Sequence, residues 1–255
     1  MWVERLGGMA TLFGQALTRA VRPGLSWRRE FYIQSIFTFR ASVLAAAIVL
    51  LCFGFSTQGI QGGVVLAALG AADRDASFTA LVVLREGAVF LTATVVAGTV
   101  GTAWVAEFGA RKIREELDAL RMLSVDPIRN MVVPRIAALA LGLPVLNMFA
   151  FLAGTLGAYF AVTLFYGVTT GAFIPLALSN TSYVDLIAGA VKISLLGVII
   201  AVICCYKGLN VTGGPQGVGR AVNEAVVACV VAIFFVNLIF TQILLAAFPD
   251  ISAYR

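Results

Sequence analysis

Long apolar segments separated by short polar stretches make up most of the sequence. About 20 helical residues are enough to cross the roughly 30 Å hydrocarbon core of a bilayer. The pattern therefore predicts five membrane-spanning helices, at residues 38–70, 78–106, 132–165, 183–206 and 221–248. Glycines interrupt the second half of the first span, so we expect it to tilt, to kink or to line a space inside the protein. Loops are predicted at residues 71–77, 166–182 and 207–220.

A different pattern precedes the first span. Between residues 3 and 20, apolar side chains recur at helical spacing and charged ones lie elsewhere. This predicts an amphipathic helix that lies in the headgroup region without crossing the bilayer. Pro23 and Gly24 are expected to end it. We therefore divide the chain into an interfacial segment, residues 1–30, and a five-span domain, residues 31–255.

The apolar pattern breaks at residues 107–135, a densely charged stretch between the second and third spans. Ile113, Leu117 and Leu120 fall on one helical face, which predicts an amphipathic helix over residues 110–123. Opposite charges four residues apart would stabilise it as two ion pairs, Arg111 with Glu115 and Arg114 with Asp118. Asp126 followed by Pro127 suits the cap and the first residue of a second short helix.

Such a stretch either links two spans as a solvated turn or forms a rigid helix that docks onto a partner protein. The glycine-rich residues 207–220 do not offer a nucleotide site of their own. They lack the G-x-x-x-x-G-K-[ST] pattern between a strand and a helix. The chain is therefore not expected to be an enzyme, and ATP hydrolysis would have to come from a partner.

Composition agrees with a polytopic membrane protein. Only 12% of the residues are charged and 60% are hydrophobic, whereas a soluble domain carries roughly 25% charged residues. With five spans, the N-terminal segment and the polar stretches 107–135 and 207–220 lie on one side of the membrane and together hold fourteen Lys and Arg residues. The opposite side holds only Arg74 and Arg255. The positive-inside rule then places the N-terminus in the cytoplasm and the C-terminus outside.

That asymmetry also accounts for the net charge of +5, so no nucleic-acid partner is expected. The four cysteines lie in apolar runs and the chain has no histidine. Metal sites in proteins are commonly built from cysteine and histidine, and no metal site is therefore expected.

The charged residues inside the predicted spans include Arg85, Glu86, Asp185 and Lys192. A charge in the membrane is costly unless it is paired or lies in a water-filled cavity. Arg85 and Glu86 either form an interfacial pair near the outer headgroups or are a polar element of a substrate cavity. Asp185 and Lys192 share a face but lie too far apart for an i,i+4 bond, so we expect them to reach other helices.

The charged stretch resembles the signature of the MlaE/YrbE permease family, the membrane subunits of MCE-associated ABC transporters. Its motifs are Glu-Phe-Gly at 107–109, Glu-Glu-Leu-Asp-Ala at 115–119, Val-Asp-Pro-Ile at 125–128 and Val-Pro-Arg at 133–135. Ala-Gly-x-x-Gly at 97–101 precedes them, and further matches run to residue 224. Residues 111–116 and 205–209 are most similar to the actinobacterial A-type YrbE subunit.

The resemblance implies an interfacial helix, five spans and cytoplasmic coupling helices at about residues 108–131. It also implies a heterodimer with a B-type YrbE subunit, two cytoplasmic ATPase subunits holding ATP and Mg²⁺, and a periplasmic assembly of MCE proteins at the bacterial inner membrane. Contact with the ATPase is expected at Glu107, Arg111, Arg114, Glu115, Glu116, Asp118 and Asp126. A lipid pocket is expected at Gln58, Gln61, Val65, Leu69, Arg85 and Glu86.

Two positions depart from the family pattern. Gly87, Ala88 and Val89 follow Glu86 where many relatives have Leu-Gly-Pro, and Thr99 stands where many have arginine. Any charge network that relatives build on that arginine is in doubt in this chain.

The function implied is that of a permease subunit of an ABC-type lipid transporter, importing fatty acids, sterols or mycolic-type lipids. Two other classes remain open. A secondary transporter or channel would need ionisable residues in the membrane as ion sites, and this chain has few. A membrane scaffold would only anchor peripheral proteins, and co-purification of an ATPase would separate it from a transporter.

Overall fold

The computed structural model describes residues 2–20, 27–71, 74–179 and 181–247. Every regular element among these residues is a helix, which confirms the predicted all-α fold. Five helical runs are long and apolar enough to cross a membrane, which confirms the predicted number of spans. They are span 1 (Arg28–Ala68), span 2 (Asp75–Ile113), span 3 (Ile128–Tyr166), span 4 (Tyr183–Leu209) and span 5 (Gly214–Ala247).

The helices within and between these spans have the following bounds. They are α1 (Trp2–Ala20), α2 (Arg28–Phe53), α3 (Gly63–Ala68), α4 (Asp75–Val82), α5 (Ala88–Val96), α6 (Thr102–Ile113), α7 (Glu116–Met122), α8 (Val133–Tyr166), α9 (Thr170–Ser179), α10 (Tyr183–Leu209) and α11 (Gly214–Ala247). Spans 1, 2 and 3 also contain wider π-helical turns, at π1 (Gly54–Gly62), π2 (Val83–Gly87), π3 (Ala97–Gly101) and π4 (Ile128–Val132). π-turns are rare and often lie at functional sites.

The spans extend beyond their predicted bounds at most ends. Span 1 begins at Arg28 and span 2 continues to Ile113, because a helix continues through polar residues after it leaves the apolar segment. The glycines of span 1 neither end nor interrupt the helical run. They fall in and next to π1, a widened helical turn.

Two predicted loops are mostly helical, so those predictions are wrong. Residues 166–182 contain α9, and residues 207–220 contain the end of α10 and the start of α11. The turn before α11 needs only Gly213 and Gly214, whose φ angles of +87° and +67° are left-handed. Glycine adopts such angles without steric cost, so the remaining glycines of the stretch can be helical.

The predicted amphipathic helix is present as α1. Leu12 and Ala16 are buried on one side of it, whereas Leu6, Phe13 and Leu17 are exposed. The exposed apolar side chains suit a lipid headgroup layer. The predicted helix end at residues 23–24 lies outside the described residues.

The chain forms two compact units that are interleaved in sequence. Unit 1 comprises Met1–Ser42, Val96–Leu143 and Ser194–Ile233, and unit 2 comprises Val43–Val95, Pro144–Ile193 and Phe234–Arg255. Unit 1 contains the charged stretch and a buried cluster that includes Leu12, Phe108, Leu117 and Met131.

Unit 2 is held together by close backbone contacts between span 1 and α8. A Cβ added at Gly54 would lie 1.9 Å from the carbonyl oxygen of Gly154, and one added at Gly157 would lie 2.2 Å from that of Leu51. Only glycine permits this approach. Small residues at helix interfaces are a common means of packing helices in membranes.

Candidate coupling segment and embedded charge cluster

The coupling segment, residues 107–135, is not one continuous helix. α6 ends at Ile113, and Glu115 adopts a left-handed backbone with φ of +60° before α7 begins. Ser124, with φ of +59°, ends the turn after α7. Left-handed backbone is costly for residues with a Cβ and is found where the surrounding structure enforces it. The prediction of a single helix over residues 110–123 is therefore wrong.

The break changes the ion pairs. Arg111 bonds Glu107 at 2.9 Å and Arg114 bonds Glu116 at 2.7 Å, so the predicted pairs of Arg111 with Glu115 and Arg114 with Asp118 are wrong. Both predictions assumed uninterrupted helical spacing across residues 114–115.

Asp118 instead joins the two helices. Its carboxylate accepts a bond from Lys112 of α6 at 3.4 Å and one from Arg121 of α7 at 2.8 Å. Glu115, in the turn itself, is exposed.

The apolar residues of the segment have two different environments. Leu117 is buried, and Leu120 packs against the same cluster. Ile113 is partly exposed, contrary to the single face predicted. Met122 and Leu123 are 87% and 73% exposed. Leu117 thus anchors the segment, and the apolar side chains of Met122 and Leu123 are exposed at the end of α7.

Asp126 caps a helix start as predicted. The backbone N–H of Ile128 donates to Asp126 Oδ1 at 3.0 Å, with Pro127 as the first helical residue. Arg19 of α1 donates to the same oxygen at 2.7 Å. The capped residues do not form a separate short helix, because the chain continues through π4 into α8 as span 3.

Glu107 lies between two arginines. One carboxylate oxygen accepts the bond from Arg111, and the other accepts a bond of 2.6 Å from Arg135. Arg135 was not among the residues predicted to be functional. The sequence did offer one signal for it. Arg135 directly follows Pro134 at the start of an apolar span, and the preceding predicted span ends next to the acidic residue Glu107.

Thr99, the second of the two departures described above, lies in π3 and shares a hydrogen bond of 2.8 Å with Ser42. Ser42 is fully buried. A hydroxyl pair therefore joins spans 1 and 2 of unit 1 at this position.

The embedded charge cluster (Arg85, Glu86, Asp185 and Lys192) lies in unit 2. Arg85 bonds Asp185 through Nε at 2.8 Å and Nη2 at 3.2 Å. Lys192 bonds Glu86 at 3.3 Å and the backbone carbonyl of Arg85 at 3.1 Å. Asp185 and Lys192 thus reach another span, as predicted.

Span 5 completes the cluster. Thr241 donates to Glu86 at 2.6 Å and accepts a bond of 2.8 Å from Lys192, and Asn237 also bonds Glu86. The side chains of π2, α10 and α11 therefore form one network with two positive and two negative charges.

The cavity next to this cluster is small. Its volume is about 20 Å³, which is room for about one water molecule and far too little for a lipid chain. Among the described residues, its lining comes from π2, α10 and α11, with none from span 1.

The remaining lipid-pocket candidates differ from one another in environment. Gln58 of π1 is buried, and its Oε1 has no partner among the described residues. Gln61, Val65 and Leu69 are exposed. The lipid pocket and the ATPase contact both stay predictions.

Replacing Arg85 alone should destabilise the protein more than replacing both Arg85 and its partner Asp185. Asp185 is 2% exposed, so Arg85→Met leaves a buried carboxylate without its main partner, at a cost of about 3–5 kcal/mol. Arg85→Met with Asp185→Leu should recover most of that loss. SDS titration in mixed micelles measures the free energy of unfolding of both variants. An equal loss of stability in the single and the double variant would contradict the prediction.

Comparison with known proteins identifies the family. A family model for the permease MlaE matches residues 31–243. A probable ABC transporter permease protein of Synechocystis sp. is 33% identical over 93% of this chain and 89% of its own length. The chloroplast protein trigalactosyldiacylglycerol 1 of Arabidopsis thaliana is 29% identical over 90% of this chain and 65% of its own.

A probable ABC transporter permease protein of Rickettsia conorii is 26% identical over 95% of this chain and 93% of its own length. The region matched by the family model includes the whole coupling segment and nearly all of the five spans. On these matches, the chain belongs to the MlaE permease family.

Proposed function

We propose that this chain is the permease subunit of an ABC-type lipid importer at the bacterial inner membrane. In this proposal its N-terminus and coupling segment face the cytoplasm and its C-terminus faces the periplasm. Two cytoplasmic subunits hydrolyse ATP, a second YrbE-type subunit completes the membrane domain, and periplasmic MCE proteins deliver the lipid. The A-type assignment and the heterodimer are parts of the same proposal.

One observation carries the coupling to an ATPase. α7 is short, bounded by two left-handed residues, anchored by buried Leu117 and tipped by exposed Met122 and Leu123. A flexible linker would not transmit a movement of the ATPase subunit to the spans, whereas an anchored helix would. The names of the relatives support the same role, since two of those described above are probable ABC transporter permeases.

A lipid substrate is supported by the nature of the chain and by one relative. Large apolar side chains are exposed along the spans, so an apolar molecule could reach the protein from the bilayer. The Arabidopsis relative is named for a galactolipid. We propose fatty acids, sterols or mycolic-type lipids as the substrate class.

The mechanism that we propose is mechanical. ATP binding brings the two ATPase subunits together, and α7 follows the movement of the subunit on which it docks. Spans 2 and 3 then move, and a lipid site between the two permease subunits changes its access. Lipid passes toward the cytoplasm as this site opens and closes.

The opposing hypothesis is a secondary transporter, and the embedded charge cluster bears on it. Its four charged residues form two ion pairs, Arg85 with Asp185 and Glu86 with Lys192, which suits a structural role better than an ion-binding site. Pairing in membranes is also how proteins reduce the cost of embedded charges.

The test is purification of the complex from its native membrane after gentle solubilisation, followed by reconstitution in liposomes. We expect an ATPase subunit to co-purify, lipids to be detected by mass spectrometry, and ATP turnover to rise when the transported lipid is added. An ATPase-free preparation that moves lipid or ions on a proton gradient would support the secondary transporter instead. A preparation with neither an ATPase nor transport would support the scaffold.

A further inference from the structure

The most deeply buried charge among the described residues of unit 1 is Arg135. Its side chain is 0% exposed. Nη2 donates to Glu107 at 2.6 Å and Nη1 donates to the carbonyl oxygen of Met131 at 3.0 Å. Its guanidinium carbon lies 4.5 Å from the ring centre of Phe108 and 5.7 Å from that of Trp104. The guanidinium is thus held by one carboxylate, one carbonyl and two aromatic rings.

Stability does not explain such a site. Taking the charge of Arg135 out of water costs about as much as its pairing returns, and Glu107 is 35% exposed, so water weakens the attraction between the two. The Nε of Arg135 also has no partner among the described residues. The placement of the pair is more informative than its energy.

The ion pair between Glu107 and Arg135 joins α6 and α8, the helices that precede and follow α7 in the chain. Glu107 lies midway along α6 and Arg135 near the start of α8. The ion pair therefore holds the two ends of the coupling segment together, and residues 108–134 lie between them.

Contacts from α7 lead to this pair by two routes. Asp118 of α7 bonds Lys112 of α6, little more than one turn beyond Glu107. Leu117 of α7 belongs to the buried cluster that contains Phe108, and Phe108 stacks on Arg135. α7 is thus connected to both ends of the segment through polar and apolar contacts.

We infer that Arg135 is a positioning residue, and that its pairing with Glu107 makes spans 2 and 3 respond to α7 as one body. Without the pair, α6 moves with α7 while α8 lags, and ATP hydrolysis continues with little lipid transfer. This inference rests on the proposed function. Arg135 touches neither nucleotide nor lipid in this arrangement and acts only through α6 and α8.

The test compares the removal of two ion pairs in the reconstituted complete complex. Arg135→Met removes the Glu107 pair with little change in volume and leaves Glu107 bonded to Arg111. The matched control is Lys207→Met, which removes an ion pair of 2.6 Å between α10 and α11 of the same unit. Each variant is assayed for thermal stability, ATP turnover and lipid transferred per ATP hydrolysed.

We expect the Arg135→Met variant to assemble and to hydrolyse ATP, while lipid transferred per ATP falls at least about fivefold, the lower end of typical coupling effects. The Lys207→Met control should keep the wild-type ratio. A purely structural role would change stability and leave the ratio intact. An unchanged ratio in the Arg135→Met variant, or an equal fall in the control, would overturn the inference.

A second variant keeps the inference testable if Arg135→Met does not assemble. Arg135→Lys preserves the charge but lacks the guanidinium that bonds both Glu107 and the carbonyl oxygen of Met131, so the ratio should fall in a folded complex, and an unchanged ratio would overturn the inference. A wild-type complex that hydrolyses ATP without moving lipid would instead refute the proposed function, before any variant is compared.

Discussion

Replacing Met122 and Leu123 together by serine should abolish stable binding of the ATPase subunit while leaving the membrane domain folded. Both side chains are largely exposed, so their removal leaves no cavity in the protein. Central apolar anchors of protein interfaces often contribute about 2 kcal/mol or more each. Loss of two such anchors, about 4 kcal/mol together, should weaken binding by roughly 1,000-fold.

The measurement is the amount of ATPase subunit retained on the purified permease, with binding affinity by titration in detergent. A matched control is Ile174→Ser with Leu178→Ser, which changes two exposed apolar residues of α9 in unit 2. Full ATPase retention in the Met122/Leu123 variant would contradict docking through α7. Charge reversal at Asp118 would be a less direct test, because it also breaks the bonds to Lys112 and Arg121.

The substitution Gly157→Ala should be among the most destabilising single changes in the chain. The added methyl would lie 2.2 Å from the carbonyl oxygen of Leu51 and 2.9 Å from the backbone nitrogen of Phe55. Backbone atoms cannot turn aside as a flexible side chain can, so span 1 and α8 would have to separate at this point. Overpacking costs about 1–3 kcal/mol and sometimes more, and helix association in lipid depends on this close packing.

The control for this prediction lies in the same helix. A Cβ at Gly142 of α8 meets nothing within 4 Å among the described residues, and alanine favours a helix over glycine by roughly 0.5–1 kcal/mol. Gly142→Ala should therefore be neutral or slightly stabilising. Thermal unfolding in detergent, followed by size-exclusion chromatography, compares the two, and similar behaviour of both variants would refute the backbone contact.

Parts of this structure could be predicted because their cause is local. Each span follows from a long apolar segment, and the cap at Asp126 follows from one side chain and the proline after it. Asp185 and Lys192 could be expected to reach other helices, since neither can be buried alone.

Other parts could not be predicted, because their cause is distant or has no residue signature. Glutamate does not favour a left-handed backbone, so nothing at Glu115 indicated the break between α6 and α7. That break then misplaced the predicted ion pairs. The partners of Arg85 and Glu86 lie a hundred or more residues away, and a single sequence carries no record of such pairings.

That separation has a consequence for biosynthesis. Arg85 leaves the ribosome 100 residues before Asp185, a gap of about 5–20 s at ordinary rates of translation. During this time span 2 carries charges whose partners do not yet exist, and each would cost roughly 2.5–3.5 kcal/mol at the centre of a bilayer. The nascent span is therefore expected to wait beside the insertion machinery, or at the bilayer surface, until span 4 arrives, so that the two enter the lipid together.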